Sequence, residues 1–509
     1  MTSVTDSASL RRSFYLLLTT VAVAVTVAKI VGAENVYEPS RFASQSETSY
    51  GADRPSFEAN RPPVRKWPTT RPAPTSMFGS NDRSRWATIR ALVDTGTYVV
   101  GRRENFKDTQ GPFTDTGIIF EDGYQSLDKV MNPETGEYFS SKPPLLPTLL
   151  AGEYWVLKKV FGWSIDRDRW WVVCTLLITV NAIPFAVYLV LLARLIETHG
   201  ATDFGKLFTF TAACFGTFLT TFSVSLNNHT PAACCVLFAL YPLLRGGGVP
   251  YSLASLFVSG LFAGLTAALD LPALSFTVGL FVPLVLTRPR QALIGFLPGA
   301  LIPLGGLLAC NYAAVGSVLP VYSEFGGPWY NYPGSYWATS HQPGPHKGVD
   351  FADEPKAVYA FHLLFGHHGW FSLTPVWLLG AGGLLGLLTA SRADIKTVLA
   401  LKKTSPVWTP RLLGVLAVVV SLVVFAFYVV KTNNYGGNTS GPRWLFWLIP
   451  LWLLGTIPAA DWVGRFSTGR LGAAVLLGFS VLSVFYPAWN PWRNPWVLQL
   501  LEVTGWLVY

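Results

Sequence analysis

The sequence predicts an all-α polytopic membrane protein, a bundle of about eleven transmembrane helices with one large first extracytoplasmic loop. Three observations predict it. Half of the 509 residues are hydrophobic and only 13% are charged, against about 25% charged in soluble domains. Apolar runs of about 20 residues recur, the length that crosses a hydrocarbon core of about 30 Å. The 19 Trp, 20 Tyr and 33 Phe suit an aromatic belt at a lipid–water boundary. A β-barrel would instead show short alternating segments.

The net charge of +9 does not point to nucleic acid, because the basic residues do not gather on a soluble domain; loop retention and anionic lipid headgroups account for it. The five cysteines (Cys174, Cys214, Cys234, Cys235, Cys310) all fall in apolar segments. They read as small core residues without a disulfide framework.

Arg11 and Arg12 precede the apolar run 13–32. Its core is longer than a cleaved signal sequence needs, so residues 1–33 are expected to be a retained signal anchor, although Val31-Gly32-Ala33 offers small residues for cleavage. Residues 34–80 are rich in Pro, Ser and Arg, as in Arg61-Pro-Pro-Val-Arg65, and read as a flexible extracytoplasmic linker. Residues 81–169 form the first outer loop. Within it Ser84 to Val100 has helical apolar spacing (Trp86, Ile89, Leu92, Val93) and is expected to lie on the membrane surface.

Residues 143–163 could span or lie at the interface. Glu153 inside and Lys158-Lys159 near the end disfavour a span, at about 2.5–3.5 kcal/mol for a charge at mid-bilayer. Parity decides. With this segment at the interface, the later spans are 170–193, 204–224, 230–246, 251–269, 273–287 and 291–311, an outer loop at 312–369, then 370–391, 411–430, 443–460 and 470–486 with a short outer tail in 370–509. Arg194, Lys206, Arg245, Arg288, Arg290, the loop Arg392 to Arg411, Arg465 and Arg470 then all face the cytoplasm, as positive-inside bias requires.

The unusual polar residues collect on the outer side. Asp82 opens the surface helix and reads either as a helix cap or as a carboxylate that takes a proton from an acceptor. Lys142, stiffened by Pro143-Pro144, is either a snorkelling lysine or a fixed ammonium. Arg443, after Gly441-Pro442, enters a span at its outer end, where an arginine and first-turn amides can hold phosphate. Asp270 sits between two apolar runs with little polar company. Arg85, Asn228, His229, His367, His368 and Tyr435 are further substrate-binding candidates. Six of seven histidines (His229, His341, His346, His362, His367, His368) fall at outer positions. Their spacings match no zinc motif, and no residue is assigned to a metal. Absence of a P-loop, a Rossmann glycine motif or a nucleophile elbow leaves nucleotide donors unsupported.

Asp82, Trp86, Ala87, Ile89, Leu92, Gly96 and Tyr98 resemble the first-loop signature of membrane glycosyltransferases of the GT-C fold, in the branch of protein O-mannosyltransferases and aminoarabinose transferases. Lys142-Pro143-Pro144-Leu145 resembles the Lys-Pro-Pro-Leu later in that loop. Gly441-Pro442-Arg443-Trp444, followed by Pro450, resembles the family's Gly-x-Arg-Tyr before a Pro-containing span. The resemblance covers about residues 80–460.

It implies an enzyme integral to the cytoplasmic membrane with its active face outside. Such an enzyme moves a sugar from a polyprenyl-phosphate donor to a lipid, glycan or protein acceptor with inversion. It also implies Asp82 as catalytic base and Lys142 and Arg443 as donor-phosphate ligands, with membrane lipids and no nucleic acid as partners. Arg83 stands where the family has Glu, and Asn227-Asn228-His229 where many relatives have an acid. No cofactor is implied with certainty, and dependence on a divalent cation stays open. A lipid or solute transporter, or a scaffold in envelope assembly that lost activity, are the competing readings.

Overall fold

A computed structural model describes residues 4–33, 42–43, 65–66, 75–107, 113–246, 251–339, 348–350, 352, 354–401 and 407–507. Most of the expected 34–80 linker, together with His341 and His346, lies outside the described residues. The chain is an all-α polytopic membrane protein. Among the described residues six helices are long and apolar enough to cross a membrane, or seven if a pair bent by 54° counts as one, and three shorter apolar helices accompany them.

The elements in chain order are α1 (Val4–Gly32), α2 (Ser80–Asp94), strands β1 (Gly101–Glu104), β2 (Thr114–Thr116), β3 (Lys129–Met131) and β4 (Glu137–Ser140), and α3 (Leu145–Phe161). The bundle follows with α4 (Arg169–His199), α5 (Asp203–Phe215), α6 (Leu219–Phe222), α7 (His229–Leu244), α8 (Leu253–Leu269), α9 (Leu274–Thr287) and α10 (Pro289–Val315). It closes with α11 (Lys356–Leu364), α12 (Trp377–Ala390), α13 (Arg392–Leu399), α14 (Pro410–Lys431), α15 (Arg443–Val463), α16 (Ser467–Phe485) and α17 (Trp496–Val503).

Side-chain caps start several helices. Thr202, Ser252 and Thr409 accept from the backbone N–H of Gly205, Ser255 and Leu412, which satisfies an orphan donor of each first turn. Helices α8 and α10 approach through small residues: a Cβ at Gly260 or Gly264 would collide with the carbonyl of Phe296 or Ala300. Gly383 meets the Gly455 carbonyl in the same way between α12 and α15. In a bilayer such contacts supply the packing that water supplies elsewhere.

Helix α15 is the axis of the bundle: 78% of its apolar stretch is buried, against 22–44% in the other five long helices. Arg443 stands at one end of it and Asp461 near the other. Asp461 accepts from the Ala201 and Thr202 backbone and the Thr202 hydroxyl at 2.6–2.8 Å. Beside it Arg11 pairs with Glu197 at 2.9 Å and with Asp203 at 2.6 Å. Eighteen residues of helix at 1.5 Å each separate the two polar ends by about 27 Å, close to a hydrocarbon thickness.

Three expectations change. The first loop holds a four-stranded antiparallel sheet, order β2-β1-β4-β3, besides its helices. Val130 faces Phe139 across a turn in which Asn132 Oδ1 accepts from Glu134 N and Gly136 takes φ +71. The β-pattern spans only three or four residues per strand, too short to read as a period. Second, α2 is not a surface helix: Asn81 to Ile89 are all buried, covered in part by Trp492 of the C-terminal tail, which packs on Gly79. Third, 204–224 is not one helix; it breaks at Gly216, and α6 follows as a single turn.

Candidate active site

Candidates from four sequence regions meet around the N-terminus of α2 and the start of α15. Arg85 is 1% exposed. Its Nη1 donates to the Asn81 carbonyl at 2.8 Å and to the Asn81 side chain, and its Nη2 donates to Asn228 Oδ1. Asn228 in turn donates to the Leu269 carbonyl at 2.7 Å. The turn at Asn228 and the turn at Asp270 are thereby tied to the first loop. Burial, followed by repulsion from Arg443, lowers Arg85 to about 10, so it stays cationic at neutral pH.

His229 links the last two regions. Its Nδ1 lies 2.7 Å from Asp270 Oδ2 and its Nε2 3.2 Å from Arg443 Nη1. A guanidinium only donates, so Nε2 accepts, and the Nδ1–H goes to Asp270. His229 is therefore the neutral bridge of an Asp270–His229–Arg443 chain. Arg443 also donates Nε to the Gly436 carbonyl at 3.0 Å and lies over the Trp492 ring at 5.0 Å. Gly436 and Gly437 take φ +96 and +75, held by Asn434 Oδ1, which accepts from both of their amides. Side chains rarely adopt such φ, so this Gly-Gly turn is what aims a carbonyl at Arg443.

Lys142 donates to Asp128 Oδ1 at 2.6 Å, and both side chains keep some exposure, 16% and 10%. Burial would raise the Asp128 carboxyl, but the Lys142 ammonium outweighs it and holds it below the usual carboxylate range. Lys142 itself is lowered, since burial and its neighbours Arg85 and Arg443 outweigh Asp128. A small open cavity of about 20 Å³ lies beside Lys142, lined among others by Thr88, Tyr98, Pro144, Asn311 and Tyr322.

Asp82 is placed differently from the expectation of a base at the membrane face. It is 0% exposed. One oxygen accepts from Phe78 N and the other from Arg83 N, each at 3.0 Å. From the third position of α2 it reaches back over the helix start, as the acid of a capping box does. Burial pushes it up to about 7. In this arrangement an acceptor has no open path to it, whereas the Asp128 side chain, in the same loop, keeps 10% exposure.

His367, His368 and Tyr435 form a neighbouring cluster. The Tyr435 ring lies 5.1 Å from His368 and 4.7 Å from His367, and its hydroxyl donates to Glu354 at 2.5 Å. Burial keeps both histidines neutral, with His368 lowered to about 3. Asp350 bridges the clusters, accepting from Asn434 Nδ2 and the Tyr336 hydroxyl at 3.1 Å each. Asp128, Asp350 and Glu354 were not foreseen. Asp128 stands in an unremarkable Ser126-Leu127-Asp128-Lys129, with no local pattern to mark it. His362-x4-His367 has the spacing of the histidine half of a Cys/His zinc motif, without the cysteine half.

No protein family and no curated protein matches the sequence. Among solved structures, the crystal structure of the Archaeoglobus fulgidus oligosaccharyltransferase in the apo form aligns over 98% of this chain, at 12% identity and a TM-score of 0.44. The chain spans 58% of that protein's length, and no site residue is carried across from it.

Proposed function

We propose that this chain is a membrane glycosyltransferase. It takes a sugar from a polyprenyl-phosphate donor and passes it to a lipid, glycan or protein hydroxyl at the extracytoplasmic face of the cytoplasmic membrane. The observation that carries the reading is the convergence of Arg85, Lys142 and Arg443 with Asp128 and Asp270. Arg85, Lys142 and Arg443 bring three basic side chains together, set among the carboxyl groups of Asp128, Asp270 and Asp350, and two guanidinium groups and an ammonium are the donors a phosphate takes. The resemblance of the first-loop, Lys-Pro-Pro and Gly-Pro-Arg motifs to membrane glycosyltransferases supports sugar transfer as the reaction.

In this reading the donor phosphate takes Lys142 and Arg443. Lys142 then shares its protons between the phosphate and Asp128, so the Asp128 carboxylate loses part of the partner that keeps it a weak base. The acceptor oxygen attacks the anomeric carbon opposite the phosphate, and the carbon–oxygen bond to the phosphate breaks. Its electron pair leaves on polyprenyl phosphate, the acceptor proton goes to Asp128, and the anomeric centre inverts. Charge stabilisation by fixed cations in a partly dry site lowers the barrier. A second reading gives the base role to Asp82, because a carboxyl near 7 is well matched to general-base work. It requires the N-terminus of α2 to open.

The test is release of polyprenyl phosphate by the purified protein from a panel of polyprenyl-phosphate pentoses, hexoses and aminosugars. Turnover of one donor that Arg443→Ala abolishes supports the reading. An absence of both turnover and saturable binding across the panel overturns it.

A further inference from the structure

One constellation outside the cationic cluster has no role in the transfer reaction. Glu354 precedes α11, His362 lies in its last turn, and His367 follows after the chain folds back through Phe365-Gly366. One carboxylate oxygen and two imidazole nitrogens of these residues lie within 4.8 Å of one another. The His362 and His367 rings stack at 4.1 Å between centroids. The buried Nδ1 of His362 has no hydrogen-bond partner among the described residues, an unmet polar group of the kind that calls for an explanation. The surrounding residues orient the donors as outer partners of metal ligands do: Tyr435 donates to Glu354, and His368 holds His367 through an Nδ1–Nδ1 contact of 2.6 Å.

We infer that Glu354, His362 and His367 bind a divalent transition-metal ion of the zinc class through one oxygen and two nitrogens. Two imidazoles with one carboxylate suit zinc and its first-row neighbours. Magnesium and calcium prefer all-oxygen shells. Three protein donors leave a fourth position for water or another ligand. Ligand distances of about 2.0–2.2 Å require the three donors to draw together by rotamer adjustment, which the short loop at Gly366 permits. The consequence lies one residue away. Tyr435 precedes Gly436, whose carbonyl holds Arg443, so the bound ion braces the turn that positions this arginine.

The experiment uses the full-length protein in detergent, its affinity tag removed. It is stripped with a chelator, reloaded with Zn²⁺ and desalted, and metal is counted by mass spectrometry. Co²⁺ is substituted in parallel for its visible absorption. The expected result is about one equivalent retained, a tetrahedral or five-coordinate Co²⁺ band, and a rise in melting temperature on reloading. Glu354→Gln and His362→Gln should each weaken retention by at least about 10-fold, whereas His199→Gln at the opposite end should not. Folded wild-type protein that retains no Zn²⁺ and gives no Co²⁺ band overturns the inference, as does equal retention by His362→Gln. The Co²⁺ spectrum needs no variant, so a misfolded variant does not blunt the test. Neither measurement depends on sugar transfer, so the metal site and the transferase reading fail separately.

Discussion

Exchanging the two first-loop carboxylates for their amides separates their roles. Asp128→Asn removes the charge from a pair whose atoms lie 2.6 Å apart and leaves the Lys142 ammonium facing Arg85 and Arg443. Breaking a buried pair on one side costs about 3–5 kcal/mol; the retained amide oxygen and the partial exposure of both groups put this case at the low end. Transfer should fall by about 10²–10⁴-fold, the scale of a lost general base. Asp82→Asn works the other way. The Asp82 carboxyl is raised from 3.8 to about 7 by burial, which at about 1.4 kcal/mol per pKa unit is a penalty of about 4 kcal/mol for carrying the charge folded. Because the folded pKa lies above the unfolded one, the native state binds the proton more tightly. Stability is greatest below pH 4 for this group and declines as pH rises through 4 to 7. The amide removes that decline, at the cost of one backbone contact, where its NH₂ meets the Arg83 N–H. Melting curves from pH 4 to 8 should therefore be flatter for Asp82→Asn than for wild type, with transfer retained within about 10-fold if Asp128 is the base. Loss of transfer in a well-folded Asp82→Asn, with near-normal turnover in Asp128→Asn, would refute this assignment and return the base role to Asp82.

Other outcomes follow from single contacts. Arg443→Lys keeps the charge but cannot make both the Gly436 and the His229 contact; with about 1.5–3 kcal/mol per charge-assisted bond, KM for the donor should rise by about 10-fold or more, measured by initial rates. Gly436→Ala forces a side chain into φ +96 and sets its Cβ 3.2 Å from Arg443 Nε; a strain of about 1–3 kcal/mol should weaken donor binding while leaving expression intact, as titration with a labelled donor reports. On intact cells a membrane-impermeant maleimide should label Ser323→Cys and spare Ser467→Cys, both exposed side chains, because positive-inside counting puts them on opposite sides; the reverse pattern overturns the topology.

Much of the helical bundle was legible because a span is written in one continuous run of sequence. The stretches 169–199, 289–315 and 410–431 each hold a long apolar run with its charged residues near the ends, and nothing distant is needed to recognise them. Lys142 and Arg443 were legible for a related reason: each sits next to proline at the edge of an apolar run, where a cation is conspicuous. Asp128 was not, since its importance comes from Lys142, fourteen positions on, across a strand pair too short to leave a period. Nor was the burial of α2 visible. Its Arg85 and Asp82 read as surface groups until Asn228, Asp270 and Trp492 arrive from three other parts of the chain. The Glu354–His362–His367 group was half-visible: the histidine pair has a recognisable spacing, but the bend at Gly366 that brings the nitrogens together leaves only a single glycine as its trace.

The pairing of Lys142 with Asp128 bears on how such a site avoids wasting its donor. The Lys142 ammonium holds the Asp128 carboxylate below its usual range, so in the proposed reaction the base would be weakest when no donor is bound and water is the nucleophile at hand. A donor phosphate would compete for the same ammonium and free the carboxylate when a leaving group is in place. The chain Asp270–His229–Arg443 contributes rigidity rather than a proton. Its arginine is fixed by the Gly436 carbonyl and its imidazole by a carboxylate, so Arg443 meets the phosphate without first losing side-chain freedom. The first loop supplies the part of the site that changes partners and the turns at 228, 270 and 436 supply the part that does not. That division explains why the cations come from distant stretches of chain while the carboxylate and ammonium that trade partners lie fourteen residues apart.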